Sequence, residues 1–561
     1  MRACVRLLYR PDRAGWKKPT LPKPPITGRA AVLKANNEPP PAKQWSTPLA
    51  QHLTRVINTT GPVSVAAYMR QCLTSESGGY YTRQTKAGGD QFGQKGDFVT
   101  SPEISQIFGE LVGLWVVAEW IAQGRKREGV QLIEAGPGRG TLMDDMLRTI
   151  RNFKALENAI ETIFMVEASQ SLRKSQHKLL CGDAPLKKNE IGFESKSKYS
   201  NTRIVWVEDI RFVEKDPSKT PFIIAHEFFD ALPIHIFESV APTSEKEAAQ
   251  PSVADPNEKA LPDLDEPEPI IEALKQQRER FSKQHDWREF VVSPAPPRST
   301  HQSLNTPEVL RFTSAVPEFQ LTLSKAPTPH SLYLPLTSPR YKALQGTPGA
   351  VIEISPESRA IAADFAVRIG GAPAPAPPAS STDKDAAPTP PPSSVDDAPS
   401  TKPNPSGAAL ILDYGPADTI PCNTLRGIRA HRAVSPFSSA GAVDLSADVD
   451  FLALAEAALD ASPGVEVHGP VEQARFLGLM GVRERAEMLV RKAEKAGVAA
   501  AGDWARDEAR EVKERIEGGW RRLVATGPNG MGRLYKALAI VPYVPEKPGR
   551  RPVGFGGDVS V

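Results

Sequence analysis

Apolar residues in this chain fall into short runs, and most of the runs end on a carboxylate. Leu132-Ile133 leads into Glu134, Thr162-Ile-Phe-Met-Val166 into Glu167, and Arg203-Ile-Val-Trp-Val207 into Glu208 and Asp209. Pro221-Phe-Ile-Ile-Ala225 leads into His226 and Glu227, and Ala408-Ala-Leu-Ile-Leu412 into Asp413. Short apolar runs bounded by turn signals read as buried strands, and helical-period stretches between them predict an α/β fold with a mainly parallel sheet. One amphipathic helix is expected to begin near Thr141. Another is read over Ile107 to Ile121, where Glu110 and Glu119 interrupt the longest apolar stretch. Trp287 to Val292 and Ala350 to Ser355 alternate and read as further strands. Arg483 to Ile516, dense in Ala, Glu, Arg and Lys and interrupted around Gly497 to Gly502, reads as a solvated surface helix.

The turn after the first run is the most specific signal. Glu134 is followed by Gly136, Gly138 and Gly140 at alternate positions. Glycines there allow positive φ and close approach of the backbone to a ligand, beside the unpaired N–H groups of a helix N-terminus. Glu167, one βα unit on, suits a ribose diol. A dinucleotide fingerprint requires Gly-x-Gly-x-x-Gly, whereas this loop is Gly-x-Gly-x-Gly with an acid on the strand before it. A carboxylate at that place repels pyrophosphate and welcomes the cationic amino-acid end of S-adenosylmethionine. Glu134, Gly136, Gly138, Gly140, Glu167 and Asp209 are therefore the candidate cofactor-binding residues, Asp209 as an acceptor for the adenine amine. Any one of these acids alone would read as a helix cap or a solvated loop end.

The turn His226-Glu-Phe-Phe-Asp230 emerges from the fourth run, where open α/β sheets hold their ligands. Glu227 and Asp230 are the candidate catalytic pair. Metal ligation by His226, Glu227, Asp230 and His235 fits no strong spacing pattern, so no metal is expected. Asp444, Asp448 and Asp450 lie near Arg426, Arg429 and His431 in sequence. They read either as salt bridges at the sheet rim or as a surface for a cationic substrate.

Composition narrows the setting. The 54 prolines among 561 residues point to unstructured segments. A net charge of +3 gives no drive toward nucleic acid. Four scattered cysteines with no C-x-x-C pair fit a reducing compartment. No apolar run is long enough for a membrane span, and the chain reads as soluble. Residues 1–50 form a basic leader, which composition alone leaves as a mitochondrial transit peptide or a disordered tail. Residues 51–240 carry the first part of the catalytic domain and 241–285 an acidic, polar insertion. Central strands and loops occupy 286–370, a Pro/Ala/Ser linker 371–407, the C-terminal part of the same domain 408–545 and a tail 546–561.

Longer motifs extend these readings. Gly-Tyr-Tyr (79–81), Gly-Asp-Phe-Val-Thr-Ser-Pro-Glu-Ile-Ser (96–105), Glu-Ala-Gly-Pro-Gly-Arg-Gly-Thr-Leu (134–142) and Ala-His-Glu-Phe-Phe-Asp-Ala-Leu-Pro (225–233) occur in order. Leu-Asp-Tyr-Gly (412–415), Thr-Leu-Arg-Gly (424–427), Asp-Leu-Ser-Ala-Asp-Val-Asp-Phe (444–451) and Gly-Arg-Leu-Tyr-Lys-Ala-Leu (532–538) follow. Together they resemble the MidA-type S-adenosylmethionine-dependent methyltransferases, a family that includes a mitochondrial protein arginine methyltransferase assisting complex I assembly. Pro416 and Leu425 depart from that pattern, which has a histidine and an aromatic residue there.

The resemblance implies a Rossmann-like methyltransferase fold with a twisted, mainly parallel sheet, an N-terminal helical cap and long insertions. It implies S-adenosylmethionine as cofactor, location in the mitochondrial matrix, and symmetric dimethylation of an arginine on a complex I core subunit. It also favours the transit-peptide reading of the leader. Glu227 would hold the guanidinium by paired hydrogen bonds, supported by Asp230. Two other readings stand beside this one: an assembly chaperone that keeps a cofactor site without catalysis, and a Rossmann dehydrogenase.

Overall fold

The computed structural model describes residues 45–82, 99–241, 286–374, 400–499, 503–527, 530–545 and 550–557. Most of the basic leader, the acidic insertion and the Pro/Ala/Ser linker lie outside them. Nine strands form the central sheet: β1 (Val130–Ala135), β2 (Ile160–Val166), β3 (Lys187–Lys188), β4 (Phe193–Lys196), β5 (Arg203–Val207), β6 (Thr220–His226), β7 (Ala408–Tyr414), β8 (Val465–Glu472) and β9 (Tyr535–Pro542). Their spatial order is β8-β9-β7-β6-β1-β2-β5-β4-β3. The strands from β7 to β5 in that order are mutually parallel, while β9 runs antiparallel between β7 and β8. The parallel strands step outward from β1 to β2 and β5, then restart on its other side with β6 and β7. The order therefore reverses between β1 and β6, and a crevice opens at their carboxyl ends.

The continuous apolar runs follow from burial on both faces. Along β6, Phe222 and Ile224 face one core layer while Ile223 and Ala225 face the other; along β7, Leu410 and Leu412 oppose Ala409 and Ile411. Helices cover both layers. For orientation in chain order, α1 (Pro48–Thr60) and α2 (Val65–Thr74) precede α3 (Gln106–Ala122), α4 (Thr141–Ile150), α5 (Gln170–Cys181), α6 (Pro356–Gly370), α7 (Phe451–Ala461), α8 (Val482–Ala499) and α9 (Asp503–Val524). Residues of α3, α4 and α5 pack on one face, and those of α6 and α7 on the other. Each start has a local cause. Gly140 caps α4 in the left-handed conformation, Ser169 accepts the N–H of Leu172 at the head of α5, and Pro356 opens α6 behind a Ser355 cap.

A smaller antiparallel sheet of Val63–Ser64, Asp286–Pro294, His235–Val240, Val351–Ile354 and Phe319–Leu323 carries α1 and α2 on a third apolar cluster. This is the N-terminal cap.

Two expectations change. The helix at Ile107 to Ile121 is not amphipathic: α3 is buried on nearly all sides, and its acids are internal ion pairs. Glu119 receives Arg550 at 2.6 Å and Glu110 receives Arg485 at 2.7 Å. The charged stretch after Arg483 divides, where the interruption is expected, into two helices, α8 and α9, but these are not wholly solvated. Their outer faces carry charge while Val482, Ala486 and Leu523 enter the core. Charge density along the sequence concealed that apolar edge. No described helix is long and apolar enough to cross a membrane.

Candidate active site

The crevice at the switch point opens into a cavity of about 1140 Å³. Glu134, Gly136, Gly138, Glu167, Asp209, Glu227 and Asp230 all line it. Gly140 lies one step behind, where an added Cβ would come within 3.2 Å of Gln176.

On the cofactor side, the loop leaves β1 with Gly136 at φ 67° and Gly138 at φ 52°. A Cβ on Gly136 would meet the Phe228 ring at 2.7 Å, so the glycine lets the loop lie against the neighbouring turn. Gln176, fully buried on α5, accepts from Trp206 Nε1 at 2.9 Å. Trp206 can only donate there, which fixes the amide and sends its N–H groups to the Gly138 carbonyl at 2.6 Å and to Glu167 at 3.1 Å. Glu167 also accepts the Ser169 N–H at 2.7 Å, yet burial still lifts its carboxyl to about 7. Glu134 is only 2 % exposed, and its Oε2 has no hydrogen-bond partner among the described residues. Burial, and then the nearby Glu167, push its carboxyl well above the usual range.

An orphaned buried carboxylate is costly unless a cationic donor meets it. A cation from a ligand, such as an α-ammonium group, supplies that donor. The residues present therefore fit S-adenosylmethionine. Asp209 stands differently. It caps the short turn Ile210–Phe212, and both its oxygens are held by Arg211, at 2.9 and 2.8 Å. Any cofactor amine there would share the carboxylate with an arginine.

Across the cavity, β6 ends in a turn anchored by β7. Glu227 adopts φ 49°, a left-handed conformation that costs a non-glycine residue about 1–3 kcal/mol. The surrounding bonds hold it there. Its N–H donates to the Leu412 carbonyl at 2.9 Å, and Asp413 accepts the next N–H groups, from Phe228 at 3.1 Å and Phe229 at 2.8 Å. The Glu227 carboxyl takes hydrogen bonds from the Ser101 N–H and the Tyr535 hydroxyl, but burial dominates and raises it to about 8. Its Oε1 has no hydrogen-bond partner among the described residues. His226 Nε2 lies 3.3 Å from that oxygen, but burial beside Phe108 drops the imidazole to about 3. A neutral ring offers no ion pair.

Asp230 accepts the Tyr414 hydroxyl at 2.6 Å, and Tyr414 also contacts Ser446. Arg426 stacks 4.5 Å above the Tyr414 ring and pairs with Asp448 at 2.7 Å. Tyr81 donates to Asp444 at 3.0 Å on the same wall. The three acids near residue 450 thus divide: Asp448 pairs with Arg426, Asp450 caps α7 and binds Arg340, and Asp444 lines the cavity.

His235 faces elsewhere. It bonds Glu289 at 2.7 Å, with His330 beside both, and Thr328 also donates to Glu289, so hydrogen bonds satisfy that buried carboxylate.

Gln176, Asp413, Tyr81, Tyr414 and Tyr535 carry no role in the sequence reading. The tyrosines stand in quoted motifs, and Asp413 was visible as a strand-end acid. Gln176 left no signal beyond a polar residue in a helical stretch.

Fold and cavity together define a Rossmann-like methyltransferase. A family model for S-adenosyl-L-methionine-dependent methyltransferases matches residues 111–471, and the chain belongs to that family. Among curated proteins it is similar to the mitochondrial protein arginine methyltransferase NDUFAF7 of Mus musculus, 30% identical over 92% of this chain and 90% of the relative. The Drosophila melanogaster homologue is 30% identical over 88% and 85%. A COG1565 superfamily member from Burkholderia thailandensis, solved with S-adenosyl-homocysteine, shares the fold at a TM-score of 0.53. Its sequence identity is 18%, over 88% of this chain and 92% of that one. The cofactor of the chain is S-adenosylmethionine.

Proposed function

We propose that the chain is a protein arginine methyltransferase of the mitochondrial matrix, forming symmetric dimethylarginine on a complex I core subunit. The names of the relatives support a protein arginine as substrate and the mitochondrion as location. The observation that carries the reading is Glu227 Oε1, buried in the cavity and short of a donor. A guanidinium is permanently charged and has five N–H donors in a planar fork, which matches such a carboxylate.

Glu134 and the Gly136–Gly140 loop would hold the cofactor, with Glu167 at the ribose and Asp209 at the base. When bound, S-adenosylmethionine supplies an electrophilic methyl group on a sulfonium, a good leaving group. Glu227 receives the substrate cation, and an opposite charge at contact distance lowers its carboxyl, so the acid releases its proton to solvent as the guanidinium docks. Its hydrogen bonds keep the guanidinium charge on the far side and leave the attacking nitrogen in line. Formation of the C–N bond would break the methyl–sulfur bond and leave a neutral thioether, and the proton lost by that nitrogen would pass to the Glu227 carboxylate that holds the guanidinium. Asp230, with Arg426 beside it, stays a charge-balanced support.

The test is methyl transfer to purified complex I core subunits, read as dimethylarginine by mass spectrometry, for the parent and Glu227→Gln. Transfer by the parent and its loss in the variant are expected. Cofactor binding with no transfer to any arginine would sink the reading and favour the assembly chaperone.

A further inference from the structure

The end of β7 wraps the catalytic turn in two ways at once. Asp413, fully buried, receives the successive N–H groups of Phe228 and Phe229 on a single oxygen, and so anchors the backbone. The next residue, Tyr414, reaches the same turn through its side chain, donating to Asp230 Oδ2 at 2.6 Å. Its ring is contacted by the Arg426 guanidinium at 4.5 Å and, edge-on, by the Tyr535 ring at 5.3 Å. Tyr414 also lines the cavity. A tyrosine needed only for packing would not require its hydroxyl on an acid that faces the ligand space.

We propose that Tyr414 is a positioning residue of the transfer. By donating its hydroxyl to Asp230 Oδ2 it engages that carboxylate and leaves Glu227 as the one that receives the substrate guanidinium. This rests on the reading of Glu227 given above. The assignment follows from how the two acids are partnered. Asp230 has Tyr414, Ser446 and the Ala231 N–H as donors and Arg426 as a nearby cation, while Glu227 keeps one oxygen unpaired. The other groups facing Asp230 are Glu227, Asp413, Tyr81 and Tyr535, all anionic or neutral. Burial already raises the Asp230 carboxyl, the Tyr414 hydrogen bond is the foremost of the contacts that oppose that rise, and removing the hydroxyl lets the carboxyl rise further. A protonated Asp230 becomes a donor that competes for the oxygen Glu227 offers to substrate.

The experiment compares the full chain with Tyr414→Phe, Asp230→Asn and the double variant. Calorimetry reads cofactor affinity, and steady-state methylation of an arginine-bearing core-subunit segment reads kcat, KM and the pH profile. Tyr414→Phe is expected to bind S-adenosylmethionine within about twofold of the parent and to lose about 10- to 100-fold in kcat, as for loss of a charge-assisted hydrogen bond. The acid limb of its profile should move to higher pH, and adding Tyr414→Phe to Asp230→Asn should cost little more. A variant with the parent's kcat and acid limb overturns the role, and so does full additivity of the two substitutions. A Tyr414→Phe chain that fails to fold overturns it as well, since the residue would then be structural. A parent that methylates no arginine overturns the Glu227 reading instead, and this role with it.

Discussion

The side-chain amide of Gln176 donates to the Gly138 carbonyl at 2.6 Å, tying the middle of the cofactor loop to the helix that follows the next strand. The same group bonds Glu167 and is fixed by Trp206, so one side chain aligns two of the groups proposed to hold the cofactor. Gln176→Ala leaves all three partners short of a bond, at about 1–3 kcal/mol. Calorimetry should show S-adenosylmethionine binding weakened about tenfold or more; unchanged affinity would remove Gln176 from the site.

Gly136→Val meets two obstacles: φ 67° and a Cβ 2.7 Å from Phe228. Backbone strain of about 1–3 kcal/mol, before the clash is relieved, predicts at least a tenfold loss of cofactor affinity. Because Phe228 lies beside Glu227, the proposed guanidinium clamp, turnover at saturating cofactor should fall too. Steady-state kinetics at high S-adenosylmethionine separate the two losses.

Glu227 gives a prediction for stability as well as rate. Burial raises its carboxyl to about 8, so between the ordinary carboxylate range and pH 8 the folded chain holds a proton that the unfolded chain has released. Its contribution to stability is present at low pH and lost as pH rises through 8. Glu227→Gln removes that dependence. Thermal melts should find the variant more stable than the parent at pH 8.5, with the difference shrinking toward pH 5, while methyl transfer is abolished. Equal melting temperatures at both pH values would contradict the buried, protonated resting state.

The Glu119–Arg550 pair joins α3 to the chain beyond β9, with Glu119 almost wholly enclosed. Arg550→Ala strands a buried carboxylate and should cost about 3–5 kcal/mol by denaturant unfolding, with cofactor affinity unchanged. A cost below 1 kcal/mol would show that water reaches Glu119.

How far the sequence revealed this site depended on whether a residue acts through its neighbours in the chain. Glu134, the glycine loop, Glu167 and Glu227 sit at strand ends, and the apolar runs that precede them mark their positions. Asp209 follows the same pattern, yet Arg211 two residues on takes its carboxylate, a local capture that the strand reading passed over. Asp413, Tyr414 and Tyr535 act across gaps of well over a hundred residues, and periodicity carries no information about such meetings. The α3 acids misled for a related reason: their partners, Arg485 and Arg550, lie far downstream, so buried ion pairs looked like a solvent-facing stripe.

The anchoring of the turn by Asp413 and Tyr414 also sets an order of events in the life of the chain. The strand bearing the cofactor loop has both its neighbours, β2 and β6, by His226, whereas the turn bearing Glu227 stays unbraced until β7 is inserted beside β6 and β9 pairs with β7. A polypeptide emerging from its N-terminus thus carries the glycine loop long before the segments that complete the cavity wall and brace the Glu227 turn. Competence to transfer a methyl group becomes a late milestone of folding, reached only by molecules whose C-terminal half has found its place.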